Sequence, residues 1–424
     1  MKGFSLITPG WNRPQLEAET LRVYEVCDGC RRCFNLCPSF NILFDRIDRY
    51  DSDLTKLAGG DHEEVTEACY YCKLCFNHCP YTPPHQYEID FPRLMIAWKK
   101  QIVAEQGTRW RDRLLVQTDL IGRIGSLVAP LANWAMRTGW LRAIMERVIG
   151  VHRDRHVLAF TSESFPRWWE RRGRTKPESP TNGKVALFAG CMVNHQATDI
   201  GKAAVQVLEK NGIEVVLPTQ QCCGMPSFDL GDTNALTHAA KANLASLNSW
   251  LDRGYDVVAP VPSCSLMLKR EYPYLLPGEE PVRLSARTFD ICEYLMRLKR
   301  AGTLATDFTR NPGQIVYQIP CHLRDQNIGF KSRELMELTG AKVEVVERCS
   351  GHDGTWGAKS EFFSLSMGIA ARAVREINQS SANLVASDCP LAALQLDQAR
   401  SETGTESRTL HPIQIVRDAY GLPA

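Results

Sequence analysis

The sequence predicts a multidomain α+β chain. It has a helical, cysteine-rich N-terminal domain, a central helical segment, and a C-terminal tandem α/β repeat with parallel sheets. Three observations lead there. Residues 27–38 (CDGCRRCFNLCP) and 69–80 (CYYCKLCFNHCP) share one pattern, C-x2-C-x2-C-x3-C-P. Residues 109–176 hold fourteen Lys and Arg against six Asp and Glu, with apolar residues at helical spacing. From residue 184 onward, strand-like and helix-like runs alternate in two successive copies, with cysteines after the strand-like runs.

At 424 residues the chain is long enough for two or three domains, and 44% hydrophobic residues supply their cores. A net charge of +2 gives no reason to expect nucleic acid. The sixteen cysteines say more. The stretch MKGFSLITPGWN lacks a basic start followed by an apolar run, so no secretory signal is expected. A chain of this length does not need disulfide staples. The expectation is a cytoplasmic protein whose cysteines ligate metal or do redox chemistry. No stretch reaches about 18 uninterrupted apolar residues. The nearest candidate, 120–136, is interrupted by Arg123, two glycines and Pro130.

In the N-terminal third the cysteine spacing has a geometric reason. Three cysteines two residues apart let one tight loop wrap three corners of an iron–sulfur cube, and the fourth reaches the neighbouring cluster. On that rule Cys27, Cys30, Cys33 and Cys79 hold one [4Fe–4S] cluster. Cys69, Cys72, Cys75 and Cys37 hold the other. Zinc is the competing reading, but zinc sites draw on separated C-x2-C pairs rather than on four cysteines in eleven residues. Residues 1–105 are thus expected to form a helical two-cluster ferredoxin domain. The charged run DRIDRYDSD (45–53) marks an insertion between the copies. Residues 86–100 read as an amphipathic helix. His62, His78 and His85 read as polar loop histidines, because the cysteines already suffice.

In the segment 106–183 the periodic apolar positions are Leu120, Ile121, Ile124, Leu127 and Val128, then Trp134, Trp140, Leu141, Ile144, Met145 and Val148. Tryptophans and basic residues on amphipathic helices suit a membrane surface or an acidic partner. A helical bridge packed on the chain's own domains, with its arginines solvated, fits the composition equally well. Residues 171–183 (RRGRTKPESPTNG) read as a linker.

The first repeat copy, expected over 184–305, begins with a strand-like KVALFAGC ending at Cys191. A helix capped by Gly212 follows, then the strand IEVVLP leading to Cys222 and Cys223. A second helix over 233–254 precedes DVVAPVPSC, which ends at Cys264. The second copy, over 306–424, repeats the order. QIVYQIPC ends at Cys321, AKVEVVERC at Cys349 and ANLVASDC at Cys389, with helices KSRELMELTG and EFFSLSMGIAARAVREINQSS between them. Strand–helix–strand alternation makes parallel sheets, whose ligands bind beyond the carboxyl ends of the strands. The cysteines of each copy should therefore converge. Cys292, in the helical run DICEYLMRLKR, fits neither copy and reads as a core cysteine.

Together these motifs resemble the heterodisulfide reductase-related iron–sulfur proteins with tandem cysteine-rich CCG domains, of the type found in anaerobic glycerol-3-phosphate dehydrogenase as its C-subunit. CYYCKLCFNHCP, CCGMP, SCSLMLKREYP, PCHLRD, GTWG and HPI carry the resemblance, which spans nearly the whole chain. It implies a helical ferredoxin domain and two cysteine-rich α/β domains. It also implies electron transfer from a flavin dehydrogenase to the quinone pool at the membrane. The family pattern offers five cysteines per copy, as C, CC and C-x2-C. Here the first copy has Cys191, Cys222, Cys223 and Cys264, with Met267 in the last position. Four thiolates suffice for a third cubane. The second copy keeps Cys321, Cys349 and Cys389, while Ser350 and Ala392 replace the rest. That copy is either a retired site or a three-cysteine site completed by His352 or His322, holding zinc or a histidine-ligated cluster. Asp353 is an alternative orienter of such a histidine.

The expected function is an iron–sulfur electron-transfer subunit rather than a stand-alone enzyme. It would work between a flavin-dependent dehydrogenase, or another redox protein, and a quinone or other acceptor, either in the cytoplasm or peripheral on the inner face of the cell membrane. No Gly-rich dinucleotide fingerprint follows a strand, so the chain is not expected to hold its own FAD or NAD. Two alternatives stand beside this: a catalytic heterodisulfide or thiol reductase, and a redox donor to a diiron peroxide-reducing partner.

Overall fold

The computed structural model of the protein describes residues 11–173, 182–405 and 408–423. The chain divides into two compact units, Met1–Val116 with Gly224–Thr237, and Gln117–Cys223 with His238–Ala424.

The first unit is helical. Helix α1 (Arg13–Cys30) starts at Asn12, which exchanges side-chain and backbone hydrogen bonds with Gln15, with Pro14 in the first turn. Helix α2 (Pro38–Arg49) starts on the proline that closes the first cysteine motif. Helix α3 (Gly59–Glu67) precedes the second motif, and α4 (Leu74–His78) lies within it. Helix α5 runs from Phe91 to Gln106, later than the span 86–100 predicts. Its start is set by Asp90, whose side chain accepts the Arg93 N–H, and by Pro92. Residues before it turn back instead, with the Ile89 N–H bonded to the Tyr81 carbonyl. Helix α6 (Trp110–Leu115) follows. Leu16, Tyr24, Phe40, Phe44, Leu94 and Trp98 form the core. His62 is not a loop residue: it is buried on α3, stacked on Trp98 at 5.5 Å between centroids.

The second unit opens with helices α7 (Thr118–Leu127), α8 (Ala129–Arg137), α9 (Gly139–Ile149) and α10 (Phe165–Arg172). Most of the expected linker lies outside the described residues. The first cysteine-rich half then runs β1 (Gly183–Leu187), α11 (Gly190–His195), α12 (Thr198–Lys210), β2 (Ile213–Val216). It continues through α13 (Met225–Asp229), α14 (Thr233–Leu251), β3 (Asp256–Ala259), α15 (Pro262–Leu266), α16 (Tyr272–Leu275), α17 (Glu279–Ala286), β4 (Thr288–Asp290) and α18 (Ile291–Arg300). Helix α13 counts with the first unit, where Lys99 Nζ binds Asp229 at 3.0 Å and the Cys69 carbonyl at 2.6 Å. The second half runs β5 (Gln314–Gln318), α19 (Cys321–Arg324), α20 (Lys331–Glu337), β6 (Lys342–Val346), α21 (Phe363–Gln379), β7 (Leu384–Ala386), α22 (Pro390–Ser401) and α23 (Pro412–Ala419).

Among the described residues the strands form two parallel sheets, in the orders β2-β1-β3-β4 and β6-β5-β7. The inner strands are near-continuous apolar runs, as sheets covered on both faces require. In each sheet the chain leaves the first strand to one side and returns on the other. The crevice between them opens beyond the carboxyl ends of β1 and β3, and of β5 and β7. The cysteines fall after the strands, as the sequence predicts, a few residues past their ends. Cys191, Cys264 and Cys321 lie in the first turns of α11, α15 and α19, and Cys389 precedes α22. Strand β4 is a surplus over the sequence reading; three residues, Thr-Phe-Asp, are too few to show a period.

Candidate metal centres

In the first unit two cavities have the crossed composition that the spacing predicts. One is lined by Cys27, Cys30, Cys33 and Cys79. The other is lined by Cys69, Cys72, Cys75 and Cys37, against Phe40 and Phe91. Each takes three cysteines from one motif and the last from the other. Burial raises the Cys33 and Cys37 thiols to about 12, with neighbouring cysteines adding to the shift. Burial drives Cys27 and Cys75 up further. Thiols so reluctant to ionise become thiolates only against positive charge, which iron provides. Both donor sets fit a four-iron cluster. The nearby histidines are occupied otherwise: His78 Nε2 accepts from Arg32, and His85 Nδ1 accepts the Tyr87 N–H.

The first cysteine-rich half brings its four cysteines together. Cys191 Sγ lies 3.8 Å from Cys222 Sγ. Cys223 lies beside both Cys222 and Cys264, and these contacts, with burial, raise its thiol far above the ordinary range. The Cys222–Cys223 turn is clamped from three directions. Asp119, on α7, accepts the Cys222 N–H at 2.5 Å. Asn243, on α14, accepts the Gln221 N–H at 2.8 Å and donates to the Cys222 carbonyl at 3.2 Å and the Tyr272 hydroxyl at 3.1 Å. Tyr272 donates to the Cys223 carbonyl at 3.0 Å. The buried Thr118 hydroxyl adjoins the Cys191 thiol and favours its ionised form. A buried set of four thiols fits an iron–sulfur cluster. Met267, in the fifth position, is fully buried in a π-helical turn (Met267–Glu271). The sequence assigns no role to the clamping residues. Tyr272 lies in the stretch SCSLMLKREYP that carries the resemblance, and Asp119 is an acid on a helix otherwise apolar and basic, but nothing local marks Asn243.

The second half gathers less. Cys321 is raised far above its usual range by burial, with Cys349, Asp353 and Cys389 close enough to add to the shift. Burial raises Cys389 to about 11. His352 is buried, its pKa pushed down to about 3 by burial and by Arg155, and its Nδ1 has no hydrogen-bond partner. A neutral imidazole with an open lone pair can ligate a metal, as thiolates can. His322 differs, since its Nδ1 is engaged by Ser263 Oγ at 2.8 Å. Ser350 and Ala392 are buried where the family pattern has cysteines. The loop is fixed through Arg155, whose guanidinium bonds Gln395, Gln398 and Ser366. Ser366 in turn donates to the Gly351 carbonyl at 2.7 Å. Gly351 has φ +76°, and a Cβ there would stand 2.3 Å from the Ser366 carbonyl oxygen, so only glycine fits. Cys292 is fully buried, with its Sγ 3.9 Å from Asp388.

The apolar residues of the central helices divide: Phe165 is buried and Ile121, Leu141 and Met145 are half-buried, but a larger set faces outward. Leu120, Ile124, Leu127, Leu131, Trp134, Trp140, Ile144 and Val148 are all exposed. Among the described residues no helix is long and apolar enough to cross a membrane.

Comparison with known proteins matches residues 185–269 and 315–397 to the cysteine-rich domain CCG, and residues 18–105 to the citrate utilization protein B Fer4-like domain. The C-subunit of anaerobic glycerol-3-phosphate dehydrogenase from Escherichia coli (strain K12) is 28% identical over 319 residues, covering 73% of this chain and 77% of that protein. Lactate utilization protein A of Bacillus pumilus is 30% identical over 219 residues, 49% of this chain and 87% of that protein. The B-subunit of fumarate reductase (CoM/CoB) from Methanothermobacter marburgensis is 25% identical over 247 residues, 56% of this chain and 46% of that protein. The chain belongs to the family of iron–sulfur proteins, with cysteine-rich CCG domains behind a Fer4-like domain, that includes lactate utilization protein A and the C-subunit of anaerobic glycerol-3-phosphate dehydrogenase.

Proposed function

We infer that the protein is an electron-transfer subunit. It passes electrons from a flavin-dependent dehydrogenase to a lipid-soluble, quinone-class acceptor while seated on the inner face of the cell membrane. The observation that carries this is the crossed lining of the two cavities in the first unit, each with four cysteines. Two [4Fe–4S] clusters there would accept and release single electrons. The chain's own part is to hold them a short distance apart: Cys37 and Cys79 each leave their motif to complete the other set. Four thiols in the first cysteine-rich half support a third cubane at Cys191, Cys222, Cys223 and Cys264. In the second half Cys321, Cys349, Cys389 and His352 support a single zinc.

In this reading residues 1–105 carry the two cubanes and 106–183 seat the chain on the membrane. Residues 184–305 and 306–424 form the two cysteine-rich domains. The seat is supported by the exposed apolar stripes of α7, α8 and α9, interleaved with exposed Arg123, Arg137 and Arg147. A thiol–disulfide reductase gains no support from a first half whose fifth position is methionine. The test is anaerobic purification with iron, sulfide and zinc analysis, EPR of the reduced protein, and assay with and without a flavoprotein partner. Dehydrogenase activity in the isolated chain would refute the reading. So would a chain that binds fewer than about eight irons, the content of two cubanes.

A further inference from the structure

Helix α7 has two unlike faces. Leu120, Ile124 and Leu127 point outward and are 53%, 54% and 65% exposed. The inward face is nearly bare of side chains, with Gly122, Gly125 and Ser126 buried. A Cβ at Gly122 would stand 2.5 Å from the ring of His195, which shares α11 with Cys191. One at Gly125 would stand 2.5 Å from the Phe160 ring. The glycines let the α7 backbone lie directly on α11. At the start of the same helix, Asp119 holds the Cys222 N–H and Thr118 adjoins Cys191. The exposed apolar stripe and the cysteine site are therefore separated by one helix backbone, less than the roughly 10 Å of a full helix diameter.

We propose that α7 is a membrane-seated lid over the Cys191–Cys222–Cys223–Cys264 site, and that a quinone-class acceptor in the bilayer meets the protein there. This rests on the electron-transfer reading above. The occupant of the outer face is an anionic bilayer surface. Helices of ten, nine and eleven residues are too short to span one and lie in its plane. Trp134 and Trp140 are exposed at the depth where such rings anchor, and Arg123, Arg137 and Arg147 alternate with the apolar positions. Beside α8 a cavity of about 580 Å3 is lined by Arg137, Arg153 and His156 together with Asp154 and Glu402, a mixed-charge lining on which the proposal does not depend. The redox balance is simple. The acceptor takes two electrons singly and two protons from water, becoming the quinol. The reduced flavin of the partner dehydrogenase supplies both electrons and is oxidised by two.

The test uses the full cluster-loaded chain and vesicles of phosphatidylglycerol and phosphatidylcholine. The variant Leu120→Ser/Ile124→Ser/Leu127→Ser alters exposed positions only, and circular dichroism checks its fold. Its co-sedimentation with vesicles should weaken by roughly a hundredfold, from three apolar side chains withdrawn from lipid. Vesicles carrying a gadolinium-chelate lipid should speed the spin relaxation of one EPR component in the reduced wild type. That component should vanish in Cys264→Ser, which still binds vesicles. Wild type and triple variant sedimenting alike, or the fast-relaxing component surviving in Cys264→Ser, overturns the lid while leaving the membrane reading intact. If the wild type does not bind vesicles at all, the face belongs to a protein partner, and both readings fall.

Discussion

The two halves of the repeat share strand topology and differ in what their loops hold. In the first half the Cys222–Cys223 turn is pinned by Asp119, Asn243 and Tyr272, and every pin acts on the backbone of the cysteine pair. In the second half Cys349 and Ser350 stand in that place, and the loop is fixed one step away, by Arg155 through Ser366 to the Gly351 carbonyl. Parallel sheets with a switch point bring cysteines together in either half. What each half can bind is decided by side chains outside the strands. The first is a four-thiol pocket closed by a helix from the central segment. The second keeps three cysteines, with Ser350 in the place of a fourth and a buried neutral His352 on the same loop.

The comparison breaks most sharply on metal content. If the first half holds a cubane, the wild type carries about twelve irons per chain and Cys223→Ala about eight, while Cys389→Ala stays at about twelve. Zinc should follow the opposite pattern, lost in Cys389→Ala and in His352→Ala but kept in Cys223→Ala. Iron and zinc by mass spectrometry on anaerobically prepared protein decide it. Iron falling equally in Cys223→Ala and Cys389→Ala would make the two halves equivalent.

Stability sharpens the contrast between the clamps. Asn243 is fully buried, and Asn243→Ala strands the Gln221 N–H, the Cys222 carbonyl and the Tyr272 hydroxyl. The expected cost is about 3 kcal/mol, seen as a lowered urea midpoint. Arg155→Leu should cost about 2 kcal/mol by stranding the buried Gln395 Oε1 and removing the bond to Ser366, which keeps its bond to the Gly351 carbonyl. Tyr272→Phe removes two hydrogen bonds, to the Cys223 carbonyl and from Asn243, and should cost about 2 kcal/mol. The diagnostic is iron: Asn243→Ala should release the third cluster faster than wild type, and Arg155→Leu should not.

The chemistry-bearing residues were legible because soft-metal ligation needs cysteine and fixes its spacing. The crossing of Cys37 and Cys79 between motifs follows from loop reach alone, and the cavities are lined that way. The parallel sheets were legible because buried parallel strands read as apolar runs, such as Val185 to Leu187. What was hidden is long-range. Asp119 reaches Cys222 across more than a hundred residues, and Arg155 reaches Gln395 across more than two hundred; no local period records either. His62 was misjudged because its partner Trp98 is distant in sequence. The start of α5 was misjudged because the cap at Asp90 outweighs the apolar pattern before it. The central helices were ambiguous for a different reason. Amphipathicity shows that one face is apolar, not what covers it.

The smallest effect lies where the two halves meet. His411, at the start of α23, accepts the Ile413 N–H on Nδ1 at 3.0 Å, and its Nε2 donates to the Pro260 carbonyl at 2.8 Å, ahead of Cys264. The Nδ1 bond needs the neutral ring, whereas the Nε2 bond survives protonation. Burial lowers its pKa from the ordinary 6.5, against a smaller opposing pull from Asp388. The unfolded chain therefore binds the proton more readily than the folded one. The contribution of His411 is full above pH 6.5 and declines as pH falls toward the folded value, by at most about 1.4 kcal/mol per unit. His411→Gln keeps a donor and an acceptor but cannot titrate. Urea midpoints at about pH 7.5 and about pH 5.5 should thus fall further in wild type than in His411→Gln. Iron measured in the same samples shows whether the first half loosens with it. Equal slopes would mean that the contact between the halves does not sense protons, and that the acid lability of the chain lies in its clusters alone.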